Sequence, residues 1–191
     1  MPRILLSGFA PFGGCSHNPS QRIAKSLHGY NIGGVSVVGC VLPVVRHRSW
    51  RVLKEHIEKH QPMAVIALGQ SQRAEILLER TAYNQDHYRI ADNEGNQPRN
   101  EKVIAAAPES YPTTLPLNHM LTELQEAGRS VGFSDDAGRF VCNHLFFQMQ
   151  HALQGRGVPS GFVHLPFAYA SWVEKSVLTA LHSVIQDSQA M

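Results

Sequence analysis

One cysteine lies where nucleophilic chemistry could take place. A helix is predicted over residues 142–153, which places Cys142 at its N-terminus. Free N–H groups and the helix dipole favour a thiolate at such a position, and the same N–H groups can donate hydrogen bonds to an oxyanion. On position alone, a buried structural cysteine is the more common alternative. A nucleophilic role for Cys142 therefore requires a base within reach.

Two histidines compete for the role of that base. His164 lies in the predicted strand Gly161–Leu165, at its carboxyl end, and sites in α/β sheets form at the carboxyl ends of strands. His144 is closer to Cys142 in sequence, but residues two positions apart point to different faces of a helix. The positions favour His164, although a histidine at the end of a strand is more often only structural.

A carboxylate that could orient the base interrupts an apolar segment. Glu79 follows Ile76–Leu78 and precedes Arg80. A carboxylate in this setting is either exposed and paired with the arginine, or buried beside another partner. Beside a histidine, a buried carboxylate fixes the tautomer and the orientation of the imidazole, as the third member of a catalytic triad does. On the residues alone, an exposed Glu79–Arg80 pair is the favoured alternative.

Other groupings give weaker signals. His56 and His60 are four residues apart on one predicted helix face, but no third ligand accompanies them, so we predict no metal site. The glycine-rich segment Gly8–Gly14 after a strand is similar to a phosphate-binding loop, yet it lacks both the GxGxxG and the GxxxxGK spacing. Cys40 lies in an apolar strand and is predicted to be part of the core.

Predicted strands and helices alternate along the chain, and several strands are apolar throughout. This pattern indicates an α/β fold with a largely parallel sheet that helices cover on both faces. The predicted strands cover residues 3–7, 35–45, 64–68, 131–134 and 161–165, with an extended segment at 76–83. The predicted helices cover residues 20–28, 47–60, 117–127, 142–153 and 171–186. The proline-containing segment Pro108–Pro116 is predicted to be a surface excursion.

The composition is that of one globular domain spanning residues 1–191. Apolar residues make up 43% and charged residues 17%, and 17 Lys and Arg against 15 Asp and Glu give a net charge of +2. Without a basic cluster, nucleic acid and membrane surfaces are not expected partners. Three cysteines with no CxxC motif, no recognisable signal peptide and no apolar stretch approaching about 20 residues predict a cytoplasmic protein.

Several blocks of sequence form a recognisable ordered set. They are SGFAPFGG (7–14) with NPS (18–20), ER (79–80), RIADNEGNQP (89–98), TLP (114–116), AGRFVCNHLF (137–146) and GFVHLP (161–166). This set resembles the type I pyroglutamyl peptidase family, also called pyrrolidone-carboxylate peptidases. Because the blocks keep their order from residue 7 to residue 166, the resemblance spans most of the chain.

The resemblance implies a fold, an activity and a set of site residues. The implied fold is a single-domain three-layer α/β/α sandwich with a mixed, largely parallel twisted sheet, and family members are often homodimers or homotetramers. The implied activity is hydrolysis of an N-terminal pyroglutamyl group from peptides through a thioester acyl-enzyme, with no metal or cofactor. The implied catalytic residues are Glu79, Cys142 and His164, with Arg89 beside the oxyanion. The implied substrate-binding residues are Phe9, Phe12, Asn18, Gln70, Ile90 and Val141, of which the two phenylalanines would sandwich the flat pyrrolidone ring.

Two other functions remain open at this level. A catalytically silent relative would only bind pyroglutamyl-capped peptides, but such a relative usually lacks one of the three catalytic residues. A nucleoside-binding or phosphorolytic enzyme on a related α/β architecture is supported only by the glycine-rich first loop. An assay with a pyroglutamyl amide separates a peptidase from the silent relative.

Overall fold

The structure is a computed structural model that describes residues 1–168 and 170–190. Its helices are α1 (Pro19–Ser26), α2 (Arg46–His60), α3 (Leu117–Glu126), α4 (Val141–Leu153) and α5 (Ser171–Ala190). Its strands are β1 (Arg3–Phe9), β2 (Asn31–Ile32), β3 (Val35–Leu42), β4 (Ala64–Ser71), β5 (Ile76–Glu79), β6 (Thr81–Tyr83), β7 (Ser110–Pro112), β8 (Val131–Ser134) and β9 (Ser160–Pro166).

Seven strands form the central sheet, in the order β2-β3-β1-β4-β9-β5-β8. The pairs β3–β1, β1–β4, β4–β9 and β5–β8 are parallel, whereas β2–β3 and β9–β5 are antiparallel. The remaining strands, β6 and β7, form a separate antiparallel ribbon. The sheet is therefore mixed and largely parallel, which confirms the predicted α/β fold class.

Helices cover both faces of the sheet because successive strand residues point to opposite sides. Ile4, Leu6 and Ile66 pack in one core cluster with the apolar faces of α1, α3 and α5. Leu5 and Val65, which alternate with them, pack in the other cluster with α2 and α4. This arrangement gives three layers, and it explains why the parallel strands are apolar throughout.

The ends of the helices follow from local sequence. Asn18 caps α1, because its side-chain oxygen accepts a hydrogen bond from the N–H of Ser20 at 3.0 Å, and Pro19 occupies the first turn. Helix α2 ends at Gln61, which adopts a left-handed conformation with a φ of 45°. Helix α4, like α2 and α3, has no side-chain cap, since its cap residue Phe140 makes no side-chain hydrogen bond to the helix. The first N–H groups of α4 are therefore available to another acceptor.

Most predicted elements are confirmed to within a few residues, with two exceptions. The extended segment predicted at 76–83 is two strands, because the chain leaves the central sheet at Arg80 and enters the ribbon. The surface excursion predicted at Pro108–Pro116 is only partly confirmed, since five of its nine residues are exposed but Tyr111 and Leu115 are buried. The physical reason is Gly161, where a Cβ would lie 2.2 Å from Thr113 Oγ1, so the segment packs directly on the backbone of β9.

Helix α1 lies so close to β1 that one glycine cannot be replaced without a shift. A Cβ at Gly8 would lie 2.0 Å from the carbonyl oxygen of Ser20. We expect Gly8→Ala to lower the free energy of unfolding by about 3 kcal/mol, because backbone would have to move. Gly132→Ala is the matched control, since its Cβ meets only an ordinary contact at 3.5 Å, and we expect a change below about 1 kcal/mol. Equal urea midpoints for the two variants would contradict this close approach.

In the part of the chain that the structure describes, no helix is both long enough and apolar enough to span a bilayer.

Candidate active site

The carboxyl ends of the central strands converge on the start of helix α4. His164 lies near the end of β9, where it pairs with Gly69 of β4. Its side chain lies on the same face as that of Phe162, and the two ring centroids are 4.9 Å apart. A Cβ at Gly69 would lie 2.8 Å from the Phe162 ring and 3.0 Å from His164. The glycine therefore leaves the space in which the imidazole is held.

Glu79 reaches this imidazole from the neighbouring strand. In the antiparallel pair β9–β5, Leu77 lies opposite His164 and Glu79 lies opposite Phe162. Glu79 and His164 are therefore diagonal neighbours on one face of the sheet, a separation that long side chains can bridge. Glu79 Oε1 is 2.6 Å from His164 Nδ1, and the carboxylate is fully buried. Arg80 pairs instead with Asp135, so the alternative of an exposed Glu79–Arg80 pair is wrong.

The surroundings of His164 favour its protonated form. Burial alone lowers its pKa, but hydrogen bonding and charge interactions with Cys142 and Glu79 outweigh that effect and raise the pKa to about 9. The second oxygen of Glu79 has no hydrogen-bond partner among the described residues. The imidazolium is therefore the main group that compensates the buried charge of Glu79.

Cys142 is the second residue of α4, and its side chain is half-buried. The start of the helix is fixed by Asn143, whose side chain accepts a hydrogen bond from the Tyr83 N–H and donates one to the Tyr83 carbonyl, both at 2.8 Å. A further bond at 3.0 Å joins the Asn143 amide to the carbonyl of Gln85. These bonds hold the first turn of α4 against strand β6. They fix the thiol in position beside His164.

A small cavity opens beside this thiol. Its volume is about 10 Å³, so the pocket is nearly closed and its wall must move apart before a ring can enter. Apolar side chains dominate its wall, and the Phe12 and Phe140 rings are 5.8 Å apart. The lining residues are Phe9, Phe12, Asn18, Val44, Gln70, Phe140, Val141 and Cys142. Larger grooves elsewhere, such as one beside Tyr111 and Gln150, contain neither the thiol nor the imidazole.

The two amides of the cavity have different bonding. Both the oxygen and the nitrogen of the Asn18 amide are occupied, because Oδ1 caps α1 and Nδ2 donates to the Ala10 carbonyl at 3.3 Å. Gln70 Oε1 is buried and has no hydrogen-bond partner among the described residues. Asn18 therefore shapes the cavity, whereas Gln70 offers an acceptor to a ligand that carries an N–H group.

Six of the ten predicted site residues share the cavity wall; Glu79 and His164 lie behind the thiol, and Arg89 and Ile90 lie elsewhere. The six are Phe9, Phe12, Asn18, Gln70, Val141 and Cys142. Ile90 is 36% exposed and lies against Gly13, next to Phe12, at the rim. Arg89 is exposed, and its guanidinium forms no hydrogen bond or ion pair with the described residues. The structure therefore places Arg89 outside the cavity wall.

Val44 and Phe140 line the cavity although the sequence did not identify them as site residues. Val44 follows the carboxyl end of β3, and Phe140 immediately precedes α4. Their positions next to a strand end and a helix start are a signal that could have identified them. Both are ordinary apolar residues, so their types alone gave no indication of a site.

His144 belongs to a buried ionic group rather than to the thiol. Its Nδ1 lies 2.8 Å from Asp86 Oδ2, and both side chains are fully buried. Asp86 also accepts a hydrogen bond from Arg46 Nε at 2.7 Å. The ring of His47 lies edge-on to that of His144, with centroids 5.1 Å apart. These contacts are consistent with the sequence argument that His144 points away from Cys142.

The other two cysteines and the pair His56 and His60 do not line the cavity. Cys40 is buried, and burial raises the pKa of its thiol to about 12, as expected for a core residue. Cys15 is exposed in the loop after β1. The rings of His56 and His60 stack with centroids 5.6 Å apart. Within residues 1–168 and 170–190, no group of three or more possible ligands could hold a metal ion.

The Cys142 thiol lies at a helix start, the His164 imidazole lies beside it, and the buried Glu79 carboxylate lies behind the imidazole. Together these three groups can perform nucleophilic hydrolysis. The α/β fold and this group of side chains together define the class of cysteine hydrolases.

Comparisons with known proteins identify the family. A model of the pyroglutamyl peptidase family matches residues 2–186. The pyrrolidone-carboxylate peptidases of Vibrio vulnificus strain YJ016 and Aliivibrio fischeri strain MJ11 are 45% and 47% identical over 167 residues, which cover 87% of this chain and 79% of theirs. The crystal structure of pyroglutamyl peptidase I from Bacillus amyloliquefaciens superposes with a TM-score of 0.93 at 34% identity, covering 98% of each chain.

A mutant pyrrolidone carboxyl peptidase from Pyrococcus furiosus superposes with a TM-score of 0.92 at 32% identity, covering 97% of this chain and 99% of the other. The chain belongs to the pyroglutamyl peptidase family, and it is an enzyme of the peptidase class. These relatives do not favour the nucleoside-binding or phosphorolytic alternative, nor a catalytically silent one.

Proposed function

We propose that this enzyme removes the N-terminal pyroglutamyl group from peptides by thiol catalysis. The observation that carries the proposal is the small apolar cavity that ends at Cys142, beside the His164–Glu79 pair. An uncharged five-membered lactam suits the apolar wall of this cavity in polarity, and the wall moves apart to admit it. Phe9 and Phe12 provide apolar faces for the ring. The buried Gln70 Oε1 accepts a hydrogen bond from the lactam N–H.

In the first half of the reaction, the Cys142 thiolate attacks the carbonyl carbon of the pyroglutamyl group. The free N–H groups at the start of α4 stabilise the oxyanion that forms. We assign a supporting role to Arg89, whose guanidinium makes no hydrogen bond or ion pair with the described residues and carries a positive charge near the rim at Ile90. The protonated His164 gives its proton to the nitrogen of the leaving peptide, and the C–N bond breaks. A thioester joins the pyroglutamyl group to Cys142.

In the second half, water replaces the leaving peptide. Neutral His164 takes a proton from this water, whose oxygen attacks the thioester carbon. Free pyroglutamate leaves, and the cycle returns to the thiolate and the imidazolium. Glu79 keeps the imidazole oriented through both halves, with its carboxylate on Nδ1 at 2.6 Å. All steps use side chains and water, so the route needs neither metal nor cofactor.

Selectivity follows from the chemistry of the cavity wall. An N-terminal glutamate, glutamine or proline carries an ammonium group, whose charge would be buried in a wall that contains no carboxylate to balance it. We expect the enzyme to hydrolyse a pyroglutamyl aminocoumarin amide at least about 10²-fold faster, in kcat/KM, than the prolyl amide. The prolyl compound is the matched control because its ring has the same size but carries a charged amine. Release of the fluorescent amine measures both rates.

Three outcomes of that assay are informative. Turnover of the pyroglutamyl amide that persists in EDTA supports the proposed route. Equal rates for the pyroglutamyl and prolyl amides would refute the lactam selectivity. Binding of a pyroglutamyl peptide without turnover would favour the catalytically silent relative.

Location and assembly are further parts of the proposal. The sparse cysteines, which are free in the structure, support a reducing compartment such as the cytoplasm. Family resemblance supports a homodimer or a homotetramer. Neither nucleic acid nor a membrane is needed for the reaction.

A further inference from the structure

An aromatic pair crosses the carboxyl edge of the sheet beside the cavity. Phe167 directly follows β9, is 40% exposed, and has its ring centroid 6.2 Å from that of His17. His17 belongs to the loop between β1 and α1, next to the cavity residue Asn18. Strand β4 separates β1 from β9, so the pair spans the end of β4, near Gln70. The His17–Phe167 pair therefore borders the mouth of the cavity.

Exposed large apolar side chains lie at both edges of the sheet. Among the described residues, four large apolar side chains are exposed: Met1, Tyr30, Ile90 and Phe167. Ile90 and Phe167 both lie at the carboxyl edge of the sheet, on loops that border the site. Tyr30 lies at the other end, where its carbonyl accepts a hydrogen bond from Val37 near the start of β3. Ile90 and Phe167 are therefore the two exposed apolar side chains that a substrate entering the site could meet.

The proposed proton transfer decides which part of a substrate meets Phe167. The leaving nitrogen must lie beside the His164 imidazole, because His164 protonates it. Phe167 follows His164 by three residues, about 10 Å along an extended chain. The second residue of the substrate begins at that nitrogen, and its side chain extends outward from the cavity. A large side chain at this position can reach the His17–Phe167 pair.

We propose that the His17–Phe167 pair forms a subsite for the second residue of the substrate and favours an apolar or aromatic side chain there. This inference rests on the proposed function, since it places the leaving peptide next to His164. Contact with such a side chain removes the exposed face of Phe167 from water. An aromatic partner adds ring–ring attraction, which for one well-placed pair corresponds to about a fivefold gain in binding.

The test compares two peptide amides that differ only at the second residue. Pyroglutamyl-phenylalanine amide and pyroglutamyl-glycine amide are hydrolysed separately, and mass spectrometry follows release of the amino-acid amide. We expect the wild type to favour the phenylalanine peptide in kcat/KM by about fivefold or more. Phe167→Ala should reduce that ratio towards one, and Phe167→Leu should keep part of it because an apolar side chain remains.

Tyr30→Ala is the matched control, because it removes an exposed aromatic ring at the far end of the sheet. Its ratio should equal that of the wild type. The subsite is refuted if the wild type shows no preference for phenylalanine, or if Phe167→Ala retains the full preference. A wild type that hydrolyses the pyroglutamyl aminocoumarin amide but shows no preference overturns the subsite alone. Absence of turnover on all three compounds overturns the proposed function, and the subsite with it.

Discussion

Replacing Cys142 with alanine is expected to lower the kcat for a pyroglutamyl aminocoumarin amide by about 10⁵-fold. The proposed thioester cannot form without the sulfur, and the remaining side chains supply no other nucleophile at the end of the cavity. The variant should still bind substrate, because the apolar wall and Gln70 are unchanged. Fluorescent amine release measures the loss of turnover, and a competition assay with a pyroglutamyl peptide measures the retained binding.

Cys40→Ala is the matched control for this substitution. Cys40 is buried, and its raised pKa of about 12 keeps its thiol protonated at neutral pH, so its loss should leave kcat nearly unchanged. Iodoacetamide gives an independent check, since Cys142 should be alkylated well before Cys40 when peptides are located by mass spectrometry. Full activity of Cys142→Ala would show that the assigned nucleophile is wrong.

Replacing Glu79 with glutamine is expected to lower kcat by about 10³- to 10⁴-fold and to change its pH dependence. His164 must be protonated to release the peptide, so activity should fall as the pH rises through its pKa, which is about 9. Burial lowers that pKa, while Cys142 and Glu79 raise it. Removing the charge of Glu79 removes one of the raising effects. The alkaline limb of kcat/KM should therefore move to lower pH in Glu79→Gln.

Glu123→Gln provides the control for this prediction. Glu123 lies 3.8 Å from His119 on the surface of α3, so the variant also removes a carboxylate next to a histidine. Its pH profile should match that of the wild type, because this pair is exposed and distant from the cavity residues. An unchanged alkaline limb in Glu79→Gln would show that Glu79 does not control the protonation of His164.

The local sequence determined the elements and two members of the site. The spacing of apolar residues predicted the main strands and helices, because the local backbone geometry decides how often a side chain returns to the same face. Cys142 was placed at a helix start, and His164 at a strand end, from the same patterns. The ordered blocks of residues indicated the family, because they match its sequence pattern over most of the chain. None of these inferences requires knowledge of which strands are neighbours.

Only the tertiary structure decided how the site is completed. Glu79 and His164 are 85 positions apart, and they meet because β5 runs antiparallel beside β9. Strand order depends on packing over the whole sheet, so local patterns could not choose between a buried Glu79 and one paired with Arg80. Long-range packing also forms the cavity wall. Val44 and Phe140 belong to this wall, although both are apolar residues without a distinctive local pattern.

Cys142 shows both contributions. The sequence placed its thiol where helix N–H groups face outward, which is a local property of any helix start. Whether such a thiol is a core residue or a nucleophile depends on its neighbours. The tertiary structure put His164 beside it, buried Glu79 behind His164, and opened a small apolar cavity in front of it. Sequence periodicity therefore fixes the direction of a side chain, whereas long-range packing fixes what that side chain meets.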